Sequence, residues 1–204
     1  MRKRPLRGAL KASWRRATRF LLSQSLLRLR LFKSGEFIRP CTDADLPRIL
    51  HIVNEAATAY RGVIPNDCYY EPYMPWDELL AEAKEMTFFG WEDSAELVGV
   101  IGYQPLGGPP AVTLVRHAYV LPECQRRGVG AALLDHLVHL TTTPRLLVGT
   151  WAAATWAIAF YEKHGFRLLP DGDHLLRAYW HITDRQRETS VVLGRDTRGS
   201  IQPH

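Results

Sequence analysis

From residue 36 onward, segments with a regular spacing of apolar residues alternate with short joints rich in Gly, Pro, Asp and Ser. Helical spacing predicts a first helix that begins after Thr42 and ends near Arg61, and further helices over 77–86, 128–140 and 155–164. Runs of β-branched and aromatic residues predict strands over 37–39, 87–91, 97–103, 112–121, 146–150, 166–169 and 190–193. The order βααβββαβαββ predicts an α/β fold with a mixed central sheet flanked by helices, and a parallel strand pair across the helix at 128–140.

Charge is distributed unevenly along the chain. Residues 1–33 contain 11 of the 26 Lys and Arg residues and no acid, which leaves 15 basic against 21 acidic residues, a net charge of −6, over 34–204. The formal net charge of +5 for the whole chain therefore describes an N-terminal extension and not the domain. We expect a basic extension over residues 1–33, a single globular domain over 34–195 and a C-terminal tail over 196–204.

The extension has the pattern of a weakly amphipathic basic helix, because Leu6, Leu10 and Trp14 recur at helical spacing beside arginines. Such a segment is typical of an organelle transit peptide, a membrane-surface anchor or a nucleic-acid arm, and it is also compatible with an extension that has none of these roles. Contact with nucleic acid or a membrane is expected only through this segment. The expected location is cytoplasmic, or the mitochondrial matrix if residues 1–33 act as a transit peptide.

Cysteine content and hydropathy exclude several classes of protein. The three cysteines, Cys41, Cys68 and Cys124, are odd in number and lack CxxC spacing, so neither a disulfide framework nor a structural zinc site is expected. The apolar runs fall short of the roughly 18 to 20 residues that cross a bilayer. These features predict a soluble, metal-free protein in a reducing compartment.

The most informative stretch is a glycine-rich turn that joins the strand at 112–121 to the helix at 128–140. It reads Gln125-Arg126-Arg127-Gly128-Val129-Gly130. A helix that opens on such a turn leaves backbone N–H groups unpaired at its positive end, and the missing side chains let a phosphate approach closely. The turn is neither the GxGxxG of dinucleotide-binding folds nor a P-loop, and a tight turn alone would also use glycine.

This turn resembles the [Q/R]xxGx[G/A] signature of the GNAT superfamily of acetyl-CoA-dependent N-acetyltransferases, and Val120-Leu121-Pro122 lies where that family has VxP. A second segment, AIAFYEKHGF over Ala157–Phe166, is similar to the family's AxxFYEKxGF. The resemblance spans roughly residues 36–193. It implies the GNAT acyltransferase fold, acetyl-CoA as cosubstrate without a metal, and transfer of the acetyl group to a primary amine by direct attack on the thioester.

The resemblance also implies roles for individual residues. Nine would contact coenzyme A: Tyr119, Val120, Gln125, Arg126, Arg127, Gly128, Val129, Gly130 and Ala131. In the family, amides of the glycine turn hold the pyrophosphate, the strand end pairs with the pantetheine arm, and the amide at the position of Val120 polarises the thioester carbonyl. Tyr161 matches the tyrosine often assigned as the acid that protonates the leaving thiolate. Ala154 replaces a common asparagine, which puts the affinity for the cofactor in question.

Acetyl transfer to an alkylammonium, whose pKa is about 10.4, also requires a base or a water relay that removes a proton. His117 is the first candidate, because an unperturbed histidine titrates near pH 6.5. Strict strand alternation places His117 on the face opposite to the Val120 side chain, and a bulge would reverse this. The alternatives are that His117 only packs against a helix, and that Glu123 is the base.

The segment between the first two helices carries several tyrosines and carboxylates, among them Tyr60, Asp67, Tyr70, Glu71 and Tyr73. Tyrosine rings and acids suit a cationic amine, but the same rings would also cover the core where the helices meet. We expect a small-molecule primary amine as acceptor. The alternatives are a protein or peptide N-acetyltransferase and a catalytically silent acyl-CoA-binding module, and the oligomeric state is left open.

Overall fold

The computed structural model describes residues 35–197, so the predictions for the basic extension and for most of the C-terminal tail lie outside the described part. Within it, the strands are β1 (Glu36–Pro40), β2 (Thr87–Asp93), β3 (Glu96–Leu106), β4 (Val112–Val120), β5 (Arg145–Trp151), β6 (Arg167–Leu168) and β7 (Ser190–Asp196). The α-helices are α1 (Leu46–Ala57), α2 (Trp76–Glu82), α3 (Val129–Leu140), α4 (Thr155–Lys163), α5 (Gly172–Tyr179) and α6 (Asp184–Glu188).

The seven strands form one sheet in the order β1-β2-β3-β4-β5-β7-β6. Among the described strands, only β4 and β5 pair in parallel, and helix α3 connects them. The other neighbours pair antiparallel. The mixed sheet and the parallel pair across the helix at 128–140 are therefore confirmed.

Helices α5 and α6 were not predicted, and they lie between β6 and β7. The two helices have only eight and five residues. The run Asp171-Gly172-Asp173 at the start of α5 is more typical of a turn than of a helix. Helix α5 is stabilised by tertiary packing, because its Leu176 is buried against a cluster that includes Leu147 and Val192 of the sheet. Local propensity gives little signal for a helix of this kind.

Helix α1 begins at Leu46, four residues after its predicted cap, because a 3-10 turn over Asp43–Asp45 precedes it. The capping box is present: the Asp45 carboxylate accepts a hydrogen bond from the backbone N–H of Thr42 at 2.7 Å. Arg39 of β1 donates to the same carboxylate at 2.9 Å and thereby ties the start of the helix to the sheet. These hydrogen bonds, from Arg39 and then from Thr42, lower the pKa of Asp45 below its usual value of 3.8.

The helices cover both faces of the sheet. Successive residues of β5 divide between two core clusters, with Leu147 beside α5 and Leu146 and Val148 in the cluster that contains Leu133 of α3. Helix α3 packs so closely that a Cβ on Gly99 would lie 2.8 Å from Val129. No helix within residues 35–197 has the length and apolar character needed to span a membrane.

Candidate active site

The parallel strands β4 and β5 separate at one end of the sheet. Their last paired residues are Val115 and Val148, yet β4 continues to Val120 and β5 to Trp151. A cavity of about 410 Å³ lies at this opening, and residues of both unpaired strand ends line it. Side chains from the 60–74 segment, α2, α4 and the 180–183 segment complete its walls.

Strand β4 contains a bulge at the opening. Gly102 of β3 pairs with Arg116 and Val100 pairs with Tyr119, so β4 has one residue more than β3 between the two pairs. His117 lies within the bulge and has a positive φ of 45°. The expectation of regular alternation is therefore wrong here.

The bulge places Arg116 and His117 on the same side of the sheet, where both contact Glu82 of α2. Val120 faces the opposite side, since its Cγ2 atom lies 3.3 Å from the position of a Cβ on Gly99, beneath α3. His117 and the Val120 side chain therefore remain on opposite faces. The expectation that a bulge would bring them together is wrong. The extra residue turns the Arg116 side chain to the face of His117, and it leaves His117 on the face opposite to Val120.

Glu82 joins the two neighbouring residues of β4. Its Oε1 accepts a hydrogen bond from Arg116 at 2.7 Å, and its Oε2 is hydrogen-bonded to Nε2 of His117. Arg116 also donates to the side-chain oxygen of Gln104 at 3.1 Å. The His117 ring packs between the rings of Phe88 and Tyr119, at centroid distances of 5.8 and 6.4 Å. These contacts fix the orientation of His117 in the cavity wall.

Two carboxylates of α2 face the cavity, since Glu78 and Glu82 are four residues apart on one helix. Burial alone would raise the pKa of Glu82, but the hydrogen bond to His117 and the charge of Arg116 outweigh it and lower that pKa. Burial and the charge of Glu82 instead raise the pKa of Glu78. Glu78 has no ion-pair partner among the described residues, so it is available to a cation in the cavity.

Three tyrosines in the wall of the cavity contact one another. The rings of Tyr60 and Tyr73 are 5.4 Å apart, and the Tyr60 ring meets that of Tyr119 edge-on at 6.5 Å. Burial, followed by the neighbouring Tyr60 and Tyr73, raises the pKa of Tyr119 well above its ordinary value. Trp151 donates a hydrogen bond to the Tyr73 hydroxyl at 2.9 Å. Tyr119, predicted to contact the cofactor, is therefore part of the wall on the α2 side.

Tyr161, the predicted acid, lies on α4 and lines the same cavity as His117. Its ring is buried against Phe160 and Phe166, at centroid distances of 5.2 and 5.5 Å. No described residue forms a hydrogen bond with its hydroxyl. Burial raises the pKa of Tyr161, so the phenol is neutral near pH 7.

The glycine turn has the backbone geometry that the sequence predicted. Gly128 immediately precedes α3 with a φ of 89° and a ψ of 0°, and Arg126 also has a positive φ, of 59°. The first intrahelical bond is donated by Ala132 to the carbonyl of Gly128, so the amides of Val129, Gly130 and Ala131 have no intrahelical acceptor. An anion of phosphate type fits these free N–H groups.

The basic side chains of the turn differ in their contacts. Arg127 forms ion pairs with Asp93 at 2.6 Å and Glu36 at 3.3 Å, so its guanidinium is held by the first two strands. Arg126 has no ion-pair partner in the described part of the chain. Gln125 donates a hydrogen bond to the carbonyl of Val120 at 3.1 Å and fixes the turn to the strand end. Of the two arginines, Arg126 is therefore the one whose charge no acid among the described residues neutralises.

Two further predicted features have clear positions. Ala154 lies directly before α4 and is completely buried, and it packs in a cluster with Ile64 and Trp151. The position that is usually asparagine therefore forms part of the core here. Glu123, the alternative base, is exposed in a 3-10 turn and is not among the cavity residues. Within residues 35–197, no cluster of His, Cys, Asp or Glu has the geometry of a metal site.

The 60–74 segment covers the cavity from one side and is tied down at several points. Asn54 of α1 exchanges hydrogen bonds with the backbone of Met74, at 3.1 and 2.8 Å. Asp67 forms an ion pair with Arg185 of α6 at 3.0 Å. The segment therefore has a defined position opposite α6, with Tyr60 and Tyr73 pointing inward.

Sequence reasoning missed Glu78 and Glu82 as site residues. Both lie in a predicted helix at a spacing of four, so their shared face was readable. The sequence does not show which strand this face contacts. It also does not show that a bulge turns two consecutive residues of β4 toward the face. The contact of Glu82 with His117 has no signature in the local sequence.

Comparisons with known proteins agree with this geometry. The sequence model described as "Acetyltransferase (GNAT) family" matches residues 49–166. Peptidyl-lysine N-acetyltransferase YiaC of Escherichia coli K12 is 26% identical over 134 residues, which cover 65% of this chain and 84% of that protein.

Solved structures show the same fold. A GNAT-family acetyltransferase from Staphylococcus aureus Mu50 gives a TM-score of 0.62 at 16% identity, over 80% of this chain and 99% of that one. The ribosomal-protein-S18-alanine N-acetyltransferase of Escherichia coli gives 0.58 at 20% identity, over 83% and 99%. PaiA N-acetyltransferase of Thermoplasma acidophilum, solved with coenzyme A, gives 0.58 at 19% identity, over 79% and 98%. Because the family match covers more than half of the chain and the fold agrees, the protein belongs to the GNAT family of acetyltransferases.

Proposed function

We propose that the protein transfers the acetyl group of acetyl-CoA to a primary amine, and that the amine is a small molecule. The observation that carries this proposal is the position of the cavity. It lies at the opening between β4 and β5, and it is lined by His117, Tyr161 and two carboxylates. The glycine turn at 125–130 follows the end of β4, which is at Val120. The cavity thus holds groups suited to proton transfer and cation binding, and the strand that supplies His117 leads along the chain to a turn suited to an anion.

The residues present fit coenzyme A. The free amides at the start of α3 and the side chain of Arg126 suit a pyrophosphate. The unpaired edge of β4 beyond Val115 offers backbone groups that an amide-containing arm can pair with, as the resemblance implies for Tyr119 and Val120. When bound, acetyl-CoA supplies the activated acetyl group as a thioester.

The acidic wall of the cavity favours a cationic acceptor. Glu78 lacks an ion-pair partner among the described residues, and the tyrosine rings beside it present faces that attract an ammonium group. His117 then accepts a proton from the bound ammonium, since an alkylammonium is almost fully protonated near neutral pH.

Two further groups act on the thioester. The backbone amide of Val120 donates a hydrogen bond to the carbonyl oxygen as negative charge develops on it, without reorganisation because the strand holds it. Tyr161 donates a hydrogen bond to the departing sulfur. Because burial raises the pKa of Tyr161 further above that of a thiol, which is about 8.5, the phenol stabilises the thiolate mainly as a hydrogen-bond donor.

A lysine side chain in a peptide is a second candidate acceptor. The likeness to the peptidyl-lysine N-acetyltransferase YiaC favours it. An open groove of about 630 Å³ adjoins the cavity and shares Leu176 and residues 180–183 with it, so an extended acceptor has room beyond the reacting amine.

The test is a thiol-release assay with the purified full chain, acetyl-CoA, a panel of alkylamines and diamines, and a set of lysine peptides. We expect turnover, with a higher kcat/KM for small amines than for the peptides. The reverse order would assign the enzyme to peptidyl-lysine. Binding of coenzyme A without turnover on any acceptor would contradict the proposal and favour an acyl-CoA-binding module.

A further inference from the structure

We propose that Glu82 is a positioning residue that holds His117 ready to take the proton from the acceptor ammonium. The inference rests on the proposed function and adds a residue to it. Its basis is the contact between Glu82 and the bulge of β4, where one carboxylate binds two consecutive strand residues, Arg116 and His117. Consecutive residues of a regular strand point to opposite faces, so this contact exists only because of the bulge.

His117 has a backbone conformation that needs outside support. Its φ of 45° is unfavourable for a residue with a side chain, and such strain persists where the surroundings hold it in place. The ring is held by Glu82 on one edge and by Phe88 and Tyr119 on its faces. A histidine placed only for packing would not require a strained backbone together with a carboxylate partner.

Arg116 in turn fixes Glu82. Its guanidinium bridges Glu82 and Gln104, so the carboxylate has a defined rotamer and stays ionised, consistent with its lowered pKa. The other titratable groups that line the cavity around His117 come from five parts of the chain: Glu78 of α2, Tyr119 of β4, Tyr161 of α4, Tyr60, Asp67, Cys68, Tyr70 and Tyr73 of the 60–74 segment, and His181 after α5. None of these groups forms a hydrogen bond with His117 in the described part of the chain, whereas Glu82 does.

This arrangement assigns the two ring nitrogens. Because the ionised carboxylate of Glu82 can only accept, Nε2 of His117 carries the hydrogen that faces it. Nδ1 then has the free lone pair, and no described residue bonds to it. In the proton transfer, an N–H bond of the ammonium breaks and the proton moves to Nδ1. Overall, an alkylammonium and a thioester give an amide, a thiol and one proton, which His117 releases to solvent.

The variant Glu82→Gln tests the proposal in the full chain with the best amine of the panel. We expect kcat to fall about 10- to 100-fold, as for the loss of a hydrogen bond to a charged group. This is a smaller loss than the roughly 100- to 10,000-fold typical of removing a base. The acidic limb of the pH profile of kcat/KM should move to lower pH, because the protonated ring loses its carboxylate. The KM for acetyl-CoA should stay unchanged.

A double variant separates positioning from structure. In the background of His117→Asn, chosen because Asn tolerates positive φ, Glu82→Gln should cause no further loss of kcat. Glu82→Asp keeps the negative charge, so its pH profile should have the acidic limb of the wild type at a reduced kcat. This variant tests the proposal if Glu82→Gln proves unstable. Glu85→Gln, an exposed acid three residues later, is the matched control and should behave as wild type.

Two results would overturn the inference while acetyl transfer by the wild type stands. One is an acidic limb that does not move in Glu82→Gln, and the other is additive losses in the double variant. Absence of transfer by the wild type on every acceptor would instead overturn the proposed function.

Discussion

Removal of the Tyr161 hydroxyl is the most informative single change in the cavity. In Tyr161→Phe the ring keeps its contacts with Phe160 and Phe166. The hydroxyl has no hydrogen-bond partner among the described residues, so its loss leaves no buried group unpaired. We therefore expect the free energy of unfolding to change by less than about 0.5 kcal/mol.

The effect on catalysis follows from the hydrogen bond that the hydroxyl would donate to the thiolate. A hydrogen bond to a charged group contributes about 1.5–3 kcal/mol. Since about 1.4 kcal/mol corresponds to a tenfold change in rate, kcat should fall about 10- to 150-fold. The KM for the amine should change little, because the interaction forms only as the sulfur leaves.

The assay measures free thiol release at saturating acetyl-CoA, with thermal unfolding of the same preparation. Tyr103→Phe is the matched control, because this tyrosine packs on Phe89 and is not among the cavity residues. A kcat equal to that of the wild type in Tyr161→Phe, with intact folding, would refute the assignment of the hydroxyl to the leaving group.

Two further predictions concern the turn and the first helix. Gly128→Ala should lower the free energy of unfolding by about 1–2 kcal/mol and weaken binding of coenzyme A, because a residue with a Cβ is strained at a φ of 89°. Denaturant unfolding and cofactor titration measure the two effects. Gly130→Ala is the matched control and should change both quantities only slightly, because its Cβ would meet its nearest atoms at 3.7 Å. Asp45→Asn should destabilise the fold by about 0.5–2 kcal/mol at neutral pH. Because the pKa of Asp45 is lowered by folding, this difference is full above about pH 5 and should disappear as the pH falls further. Asp43→Asn, at an exposed position in the same turn, is the matched control and should leave the free energy of unfolding near that of the wild type.

The elements with strong local signals were predictable. The glycine turn, the helix after it and the strand before it have signatures in spacing and residue type, and they lie within one or two residues of their predicted positions. The parallel pair of β4 and β5 followed from the helix between them. The glycine turn is local in sequence, which is why its backbone geometry could be predicted.

The remaining features depend on contacts between distant residues. Helix α5 is stabilised by packing of Leu176 on the sheet and not by its own sequence. The ion pairs of Arg127 with Asp93 and Glu36 join positions 34 and 91 residues apart, so they could not be predicted from the place of Arg127 in the motif. Glu82 meets His117 across 35 residues and through an irregular strand. None of these contacts is encoded in a short window of the chain.

The bulge in β4 has a consequence for how relatives of this protein should be compared. Suppose that a relative has one residue fewer in β4 between the positions of Arg116 and Tyr119, which pair with Gly102 and Val100 here. Regular alternation of side chains along its strand would then be restored. Arg116 and His117 would then point to opposite faces, and only one of them would reach Glu82. The placement of a single gap in an alignment, more than the identity of any aligned residue, thus decides whether a relative shares this side of the cavity.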